Sequence, residues 1–412
     1  MKISKENSTS SFWVYFLIIW GSEIKNLFPE TFSLVLGIFI SITALLYALL
    51  SWKNKFRLLD FTIFTFALLV PLICSLQANQ VFNQPIWMGF ASLRSLLFIL
   101  LVYVLKNKVN QYDLIKKICD FTVFIMIIDS ILLLVFDVDN TRLSSLIASE
   151  EFVDTKQSVE NSLRGKRLTF GCSFQLLAMA WWSYSSYVLK NKNAQKKMLF
   201  SLFFTMLISK GRIQLVLIAI LWILPYILEL DKKNFRRIIL YGLGGLMILL
   251  ALPSVRQSFS VVADLFGSSS SANEGDFSGV ARLNEILLTL PFIQEHPLFG
   301  SGNVSYHYND GFEGCLGEYF FVSDIGIVGM MFIGGIFLCI SYFSLFFICN
   351  RYNYHYKCKF HLFIKLCCII YSISPFMGLV PMIGSTIQIM IILLIGCFSS
   401  QYNCKDKLKL IK

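Results

Sequence analysis

Apolar runs separated by short polar segments recur along the whole chain. They extend from Phe12 to Trp20, Phe32 to Leu50, Leu58 to Ser75, Ile86 to Leu105, Ile118 to Phe136, Gly171 to Leu189, Met198 to Ser209, Ile213 to Leu228, Ile238 to Leu252, Tyr319 or Ile325 to Cys349, Leu362 to Leu379 and Pro381 to Cys397. Many approach the roughly 20 residues that carry a helix across a bilayer, and they lack the alternation expected of barrel strands. A helix satisfies its own backbone in lipid. The pattern therefore predicts an all-α polytopic membrane protein of about 12 transmembrane helices, with residues 1–412 forming one integral membrane domain. The first run is short and needs Glu23 and Lys25 to reach full length. Lys2 and Lys5 precede it and no small-residue cleavage site follows, so it reads as an anchor rather than a signal peptide.

Two polar interruptions are too long to be turns. Residues 137–170 carry charge without apolar periodicity. Residues 253–317 include the run Ser268 to Ser271 with nearby glycines, which reads as a mobile portion. Basic residues fix the side these loops face. The segments assigned to the side of the two termini hold 24 of the 36 Lys and Arg, and those on the other side hold 10. By the positive-inside rule both termini are cytoplasmic and both long loops are on the outer side.

Composition narrows the class further. A chain that is 56% hydrophobic and 15% charged could not hide its apolar surface as a soluble protein. The net charge of +11 sits in short clusters between apolar runs, a distribution that orients a membrane protein and argues against nucleic acid as a partner. The 11 cysteines lie mostly in or beside apolar runs, with neither a disulfide framework nor metal-ligand spacing.

Against this apolar background a few charges stand out. Arg94 lies inside the fourth run, where an arginine costs at least about 2.5 kcal/mol unless it meets a partner, lines a wet cavity or snorkels to the interface. Asp60, Asp120 and Asp129 are candidate partners for it. Arg164, Lys166 and Arg167 in SLRGKRLTFG, and Lys210 and Arg212 in the turn between the seventh and eighth runs, place cations at the outer interface against the orienting trend. They are either solvated loop ends or a built anion site at headgroup depth. In RLNEILLTLPFIQEHP, Leu283, Ile286, Leu287 and Leu290 recur at helical spacing, predicting an amphipathic surface helix with Arg282 near its start. PLFGSG then turns the chain. His296, His307, Asp310, Glu313 and Glu318 follow, each a possible base or a solvated side chain. Glu318 is at the mouth of the tenth run, where partial burial raises a carboxyl pKa.

The order RLTFG, then SKGR between two short runs, then Arg282 with IQEHPLFGSG, then Glu318 and DIGIVG resembles the O-antigen polymerase and ligase superfamily. The resemblance covers the whole topology, and its sharpest motif is confined to residues 282–329. It departs from the ligases at Gly314, Cys315 and Leu316, where they usually carry a histidine, and at Lys210, where the usual turn has arginine. The resemblance implies a Wzy-type polysaccharide polymerase in a bacterial inner membrane, acting at the periplasmic face as an inverting, metal-independent glycosyltransferase without cofactor. Its donor would be an oligosaccharide on a polyprenyl diphosphate. Membrane lipid surrounds the site, and a separate membrane protein would regulate chain length. Arg282, Arg167, Lys210, Arg212 and Arg94 would face the diphosphate, and Glu318 or His307 would serve as base. The alternatives are an O-antigen ligase with a lipid A core acceptor, or a flippase of lipid-linked sugar.

Overall fold

The computed structural model describes residues 6–22, 24, 28, 30–51, 57–106, 108–140, 142–143, 166–228, 277–317, 320–356, 360–377 and 385–398. The ninth apolar run, Arg164, the Ser268 to Ser271 stretch, Glu318 and the side chain of Arg212 lie outside them. The described residues form helices and connecting turns without a strand. The elements are α1 (Glu6–Gly21), α2 (Glu30–Ser51), α3 (Leu58–Phe82), α4 (Ile86–Ser92), α5 (Arg94–Leu105), α6 (Gln111–Leu134), α7 (Gln175–Tyr187), α8 (Lys192–Phe204), α9 (Arg212–Leu228), α10 (Phe277–Glu295), α11 (Gly311–Leu316), α12 (Gly326–Tyr356), α13 (His361–Ile373) and α14 (Thr386–Phe398).

Two of these, α3 and the segment Gly326–Tyr354 of α12, are long and apolar enough to cross a membrane, and α4 with α5 would make a third span bent by 56°. Shorter apolar helices surround them. Several elements outrun the apolar pattern. The stretch from Leu76 to Phe82 continues α3 although it is polar, because the helix stops only where Asn83 adopts a left-handed conformation (φ 58°) and Pro85 follows. α6 and α8 begin inside basic segments, each capped by an asparagine, Asn110 and Asn191. α1 gains length on its N-terminal side and ends at Gly21 rather than running through the acidic and basic residues that follow.

Within α3, Pro71 has no N–H for the Ala67 carbonyl. The helix absorbs this by widening over Thr65–Leu69, so that the Val70 N–H reaches back five residues to Thr65. The fourth run is not one helix: it breaks at Leu93, and Arg94 opens the tighter turns that follow.

The bundle has two distinct ends. At one, Phe398 packs on Tyr103, and Gln111 donates to the Leu394 carbonyl. Lysines there lie over tyrosine rings, Lys106 on Tyr103, Lys108 on Tyr47 and Lys190 on Tyr187, at 5.1–5.8 Å. Long cationic stems with aromatic rings are the pattern of a membrane–water boundary. The opposite end gathers the C-terminus of α1, the 83–85 turn, residues 137–140 with 166–170, the Ser209–Gly211 turn, the loop 296–325 and the start of α14.

The loop 297–302 is built into α12. Gly335 (φ 60°, ψ −159°) interrupts that helix in a conformation open to glycine. In an unbroken helix the amides of Ile336 and Phe337 would bond the carbonyls of Phe332 and Ile333. Here they donate instead to Pro297 and Leu298, each at 3.0 Å, while the Phe332 and Ile333 carbonyls accept from Ser301 and Gly302 at 2.7 and 2.9 Å. The loop thus re-pairs two amides and two carbonyls that the break frees, as burial of backbone demands.

Candidate functional site

The site-bearing end is assembled in two halves. The first is built on the connection between α8 and α9. α8 widens over Thr205–Ser209 and is then stopped by Lys210, which takes a left-handed conformation (φ 51°, ψ 27°) that costs a non-glycine residue about 1–2 kcal/mol. Gly211 leads directly into α9.

The segment 166–169 docks onto this turn. The Leu168 N–H donates to the Ile208 carbonyl at 3.2 Å. Asn140 holds the residues on either side of Leu168, its N–H donating to the Arg167 carbonyl at 2.9 Å and its side-chain oxygen accepting from the Thr169 N–H at 3.0 Å. Arg167 is one residue and Lys210 two residues from this Leu168–Ile208 contact, although the two are 43 positions apart in the sequence. Lys166 points elsewhere and pairs with Asp137 on the surface.

Beneath these cations lies a polar floor that the apolar pattern concealed. Gln175 is fully buried; its amide nitrogen donates to the Ser201 and Thr205 hydroxyls, each at 2.8 Å, and its oxygen accepts from Gln214 at 2.6 Å. Gln388, also fully buried, donates to the carbonyls of Gly21 and Ser173, joining α1, α14 and the approach to α7. Asp129 is buried against the Cys172 thiol at 3.5 Å. Buried polar groups of this kind persist only when partnered, and here they fix the mutual heights of the helices that carry the basic turn.

The second half is α10 and the loop 296–325. The α10 helix forms, but its buried face is not the apolar stripe that its periodicity predicts. Leu283, Leu287 and Leu290 are exposed, whereas Glu285 and Thr289 are buried. Glu285 and Thr289 meet the protein together with Ile286, Leu288, Phe292 and Ile293, while three leucines face outward as on a helix lying at a lipid boundary. Arg282 is half-buried, and its Nε is shut from solvent without a hydrogen-bond partner. One turn later Glu285 accepts the Phe321 N–H at 3.2 Å.

The loop itself is clamped to the α3–α4 turn. Gln84, fully buried, uses both ends of its amide, donating to the Asn303 carbonyl at 3.2 Å and accepting from the Ser305 N–H at 2.6 Å. Asn303 donates to Ser92 at 2.8 Å, two residues before Arg94. Arg94 is thereby drawn to the foot of this loop. Its guanidinium donates to the Ala91 carbonyl at 2.8 Å, and the carboxylates considered as its partners are engaged elsewhere, Asp60 by Tyr103 and Asp120 by Lys197.

His307 is exposed beside Tyr306, ring centroids 6.2 Å apart. Cys315 is half-buried, and burial pushes its thiol above the ordinary range. It remains a protonated thiol at neutral pH and a poor base.

The structure thus docks the segment of Arg167 on the stretch that ends at Lys210, bonds Asn303 to Ser92 two residues before Arg94, and ties the turn of α10 next to Arg282 to Phe321 through Glu285. Sequence reasoning missed Gln84, Gln175 and Glu285. The detectable signal for the first two was a glutamine beside or within an apolar run; for Glu285 it was an acid one turn from Arg282. Among the described residues no cluster of His, Cys, Asp and Glu has the geometry to hold a metal ion. Comparison with protein-family models and with curated protein sequences returned no match.

Proposed function

We propose that this chain is an integral membrane glycosyltransferase that polymerises oligosaccharide repeat units carried on polyprenyl diphosphate into O-antigen or a related surface polysaccharide. In this reading about 12 helices span a bacterial inner membrane, both termini are cytoplasmic, and the loop-bearing end faces the periplasm. The observation that carries it is the Leu168–Ile208 hydrogen bond, which docks the segment bearing Arg167 on the stretch that ends at Lys210. The buried, unpartnered Nε of Arg282 supports it, because an orphaned charged donor is a ready receptor for an anion.

The chemistry follows from the leaving group. As the bond between the anomeric carbon and the diphosphate oxygen breaks, negative charge develops on the diphosphate. Preplaced Arg167, Lys210, Arg212, Arg282 and Arg94 stabilise it more in the transition state than in the substrate. The acceptor sugar hydroxyl attacks from the opposite face, and Glu318 or His307 takes its proton. The anomeric configuration inverts, and the diphosphate departs without help from an acid. No metal or cofactor is needed in this scheme. A separate chain-length regulator would act on it from outside.

Purified protein supplied with a defined lipid-linked repeat unit tests the proposal. A ladder of lengthened lipid-linked products is expected. Transfer only to a lipid A core acceptor would identify a ligase, and movement of the substrate across vesicles without a new glycosidic bond would identify a flippase. In cells, deletion should leave single repeat units on the lipid A core. Normal long chains after deletion would refute all three readings.

A further inference from the structure

We infer that Glu285 is a positioning residue that aims Arg282, an inference that rests on the proposed role of Arg282 in binding the donor diphosphate. Glu285 is 2% exposed, on the face of α10 that also packs Leu288 and Phe292 against the core. Its carboxylate accepts the N–H of Phe321, a backbone group on the segment that leads into α12. Phe320 next to it is fixed by ring contacts with Phe312 and Phe332 at 5.4 Å each, so the anchor point is itself rigid.

Three residues along a helix is close to one turn, which puts Arg282 and Glu285 on the same face. The Glu285–Phe321 hydrogen bond therefore fixes the turn of α10 that carries Arg282. Phe292, ten residues beyond Arg282, packs on Phe82 and Phe332 and holds the far half of the helix. The Arg282 Nε is buried without a hydrogen-bond partner, so the aim of this side chain depends on how its own turn is held. The carboxylate acts through the backbone of Phe321, with no part in the reaction.

The test pairs a structural readout with the enzymatic one, on full-length protein. Hydrogen exchange of the peptide containing Phe321 is followed in Glu285→Ala, Glu285→Asp and Glu285→Gln, alongside chain growth on a lipid-linked repeat unit. In Glu285→Ala the Phe321 amide should exchange at least about tenfold faster, the factor expected for loss of a charge-assisted hydrogen bond. Chain growth should fall about tenfold or more through kcat, since small displacements of a binding group are costly. Glu285→Asp, which keeps the charge but not the reach, should behave like Ala. Glu285→Gln keeps an acceptor oxygen at the same reach and should restore both protection and turnover. If Glu285→Ala does not fold, the Asp and Gln variants still separate reach from charge. Faster exchange with unchanged turnover would overturn the inference. So would a Gln variant that protects the amide yet is inactive, which would mean that the charge acts directly. Failure of the underlying reading is distinct: Arg282→Ala would then leave turnover unchanged whatever the Phe321 amide does.

Discussion

Replacing Gly302 by alanine tests whether the loop 297–302 is a built part of the bundle. Gly302 has φ +90°, and a Cβ there would lie 2.6 Å from the Ala78 Cα and closer still to the Ala78 nitrogen and the Cys74 carbonyl oxygen. These are backbone atoms of α3, which cannot swing aside as a side chain could. The unfavourable φ costs about 1–2 kcal/mol. Forcing the loop away from α3 adds about 1–3 kcal/mol of overpacking, and the Gly302–Ile333 hydrogen bond, worth about 0.5–1.5 kcal/mol, is strained with it. The sum is about 3 kcal/mol or more. Gly317 supplies the control: its φ is +71°, yet nothing lies within 4 Å of the position its Cβ would take, so Gly317→Ala should cost the φ term alone. Heating detergent-purified protein in steps and measuring the surviving monomer by size exclusion compares the two. Gly302→Ala should lower the midpoint at least about twice as far as Gly317→Ala, and should abolish chain growth. Equal shifts would mean that the loop is not seated between α3 and α12.

Gln175→Leu should destabilise the protein by about 2 kcal/mol or more in the same assay, because the Gln214 amide and the hydroxyls around it lose a buried partner; a neutral outcome would show that the polar floor is not structural. Lys166→Ala should change stability by less than about 1 kcal/mol and leave turnover intact, since Lys166 and Asp137 are 53% and 63% exposed and such a pair is screened. A large loss of turnover would place Lys166 with Arg167 in the site. The Cys315 thiol is held up by burial, so its thiolate fraction, and its maleimide labelling rate, should still be rising as pH passes the ordinary thiol value of 9.0. A plateau reached below that pH would contradict its buried placement.

The helices were legible in the sequence because a backbone in lipid has few alternatives, and so the described apolar runs are helical, the fourth as two helices broken at Leu93. Their ends were less legible. Polar residues such as those from Leu76 to Phe82 extend a helix at no cost where it emerges from the bilayer, and only the left-handed Asn83 and Pro85 stop it. The α10 case shows the limit of periodicity. Leu283, Leu287 and Leu290 mark a helix correctly, but in a membrane-facing protein the apolar face does not reveal which side is buried. Arg282, Arg167 and Lys210 were visible as misplaced charges. The docking of the Arg167 segment on the Lys210 turn was not, since it rests on one backbone contact between segments that no local pattern connects.

The sequence by itself determined an apolar, helical, membrane-type chain, because hydrophobic run length is a local property. Tertiary structure alone decided that HPLFGSG fills a break in α12, that Gln84 and Gln175 are hubs, and that Glu285 pins the helix of Arg282. Each of these depends on hydrogen-bond partners separated by dozens or hundreds of residues. Which donor meets which acceptor is fixed only when the helices pack and exclude water from the alternatives.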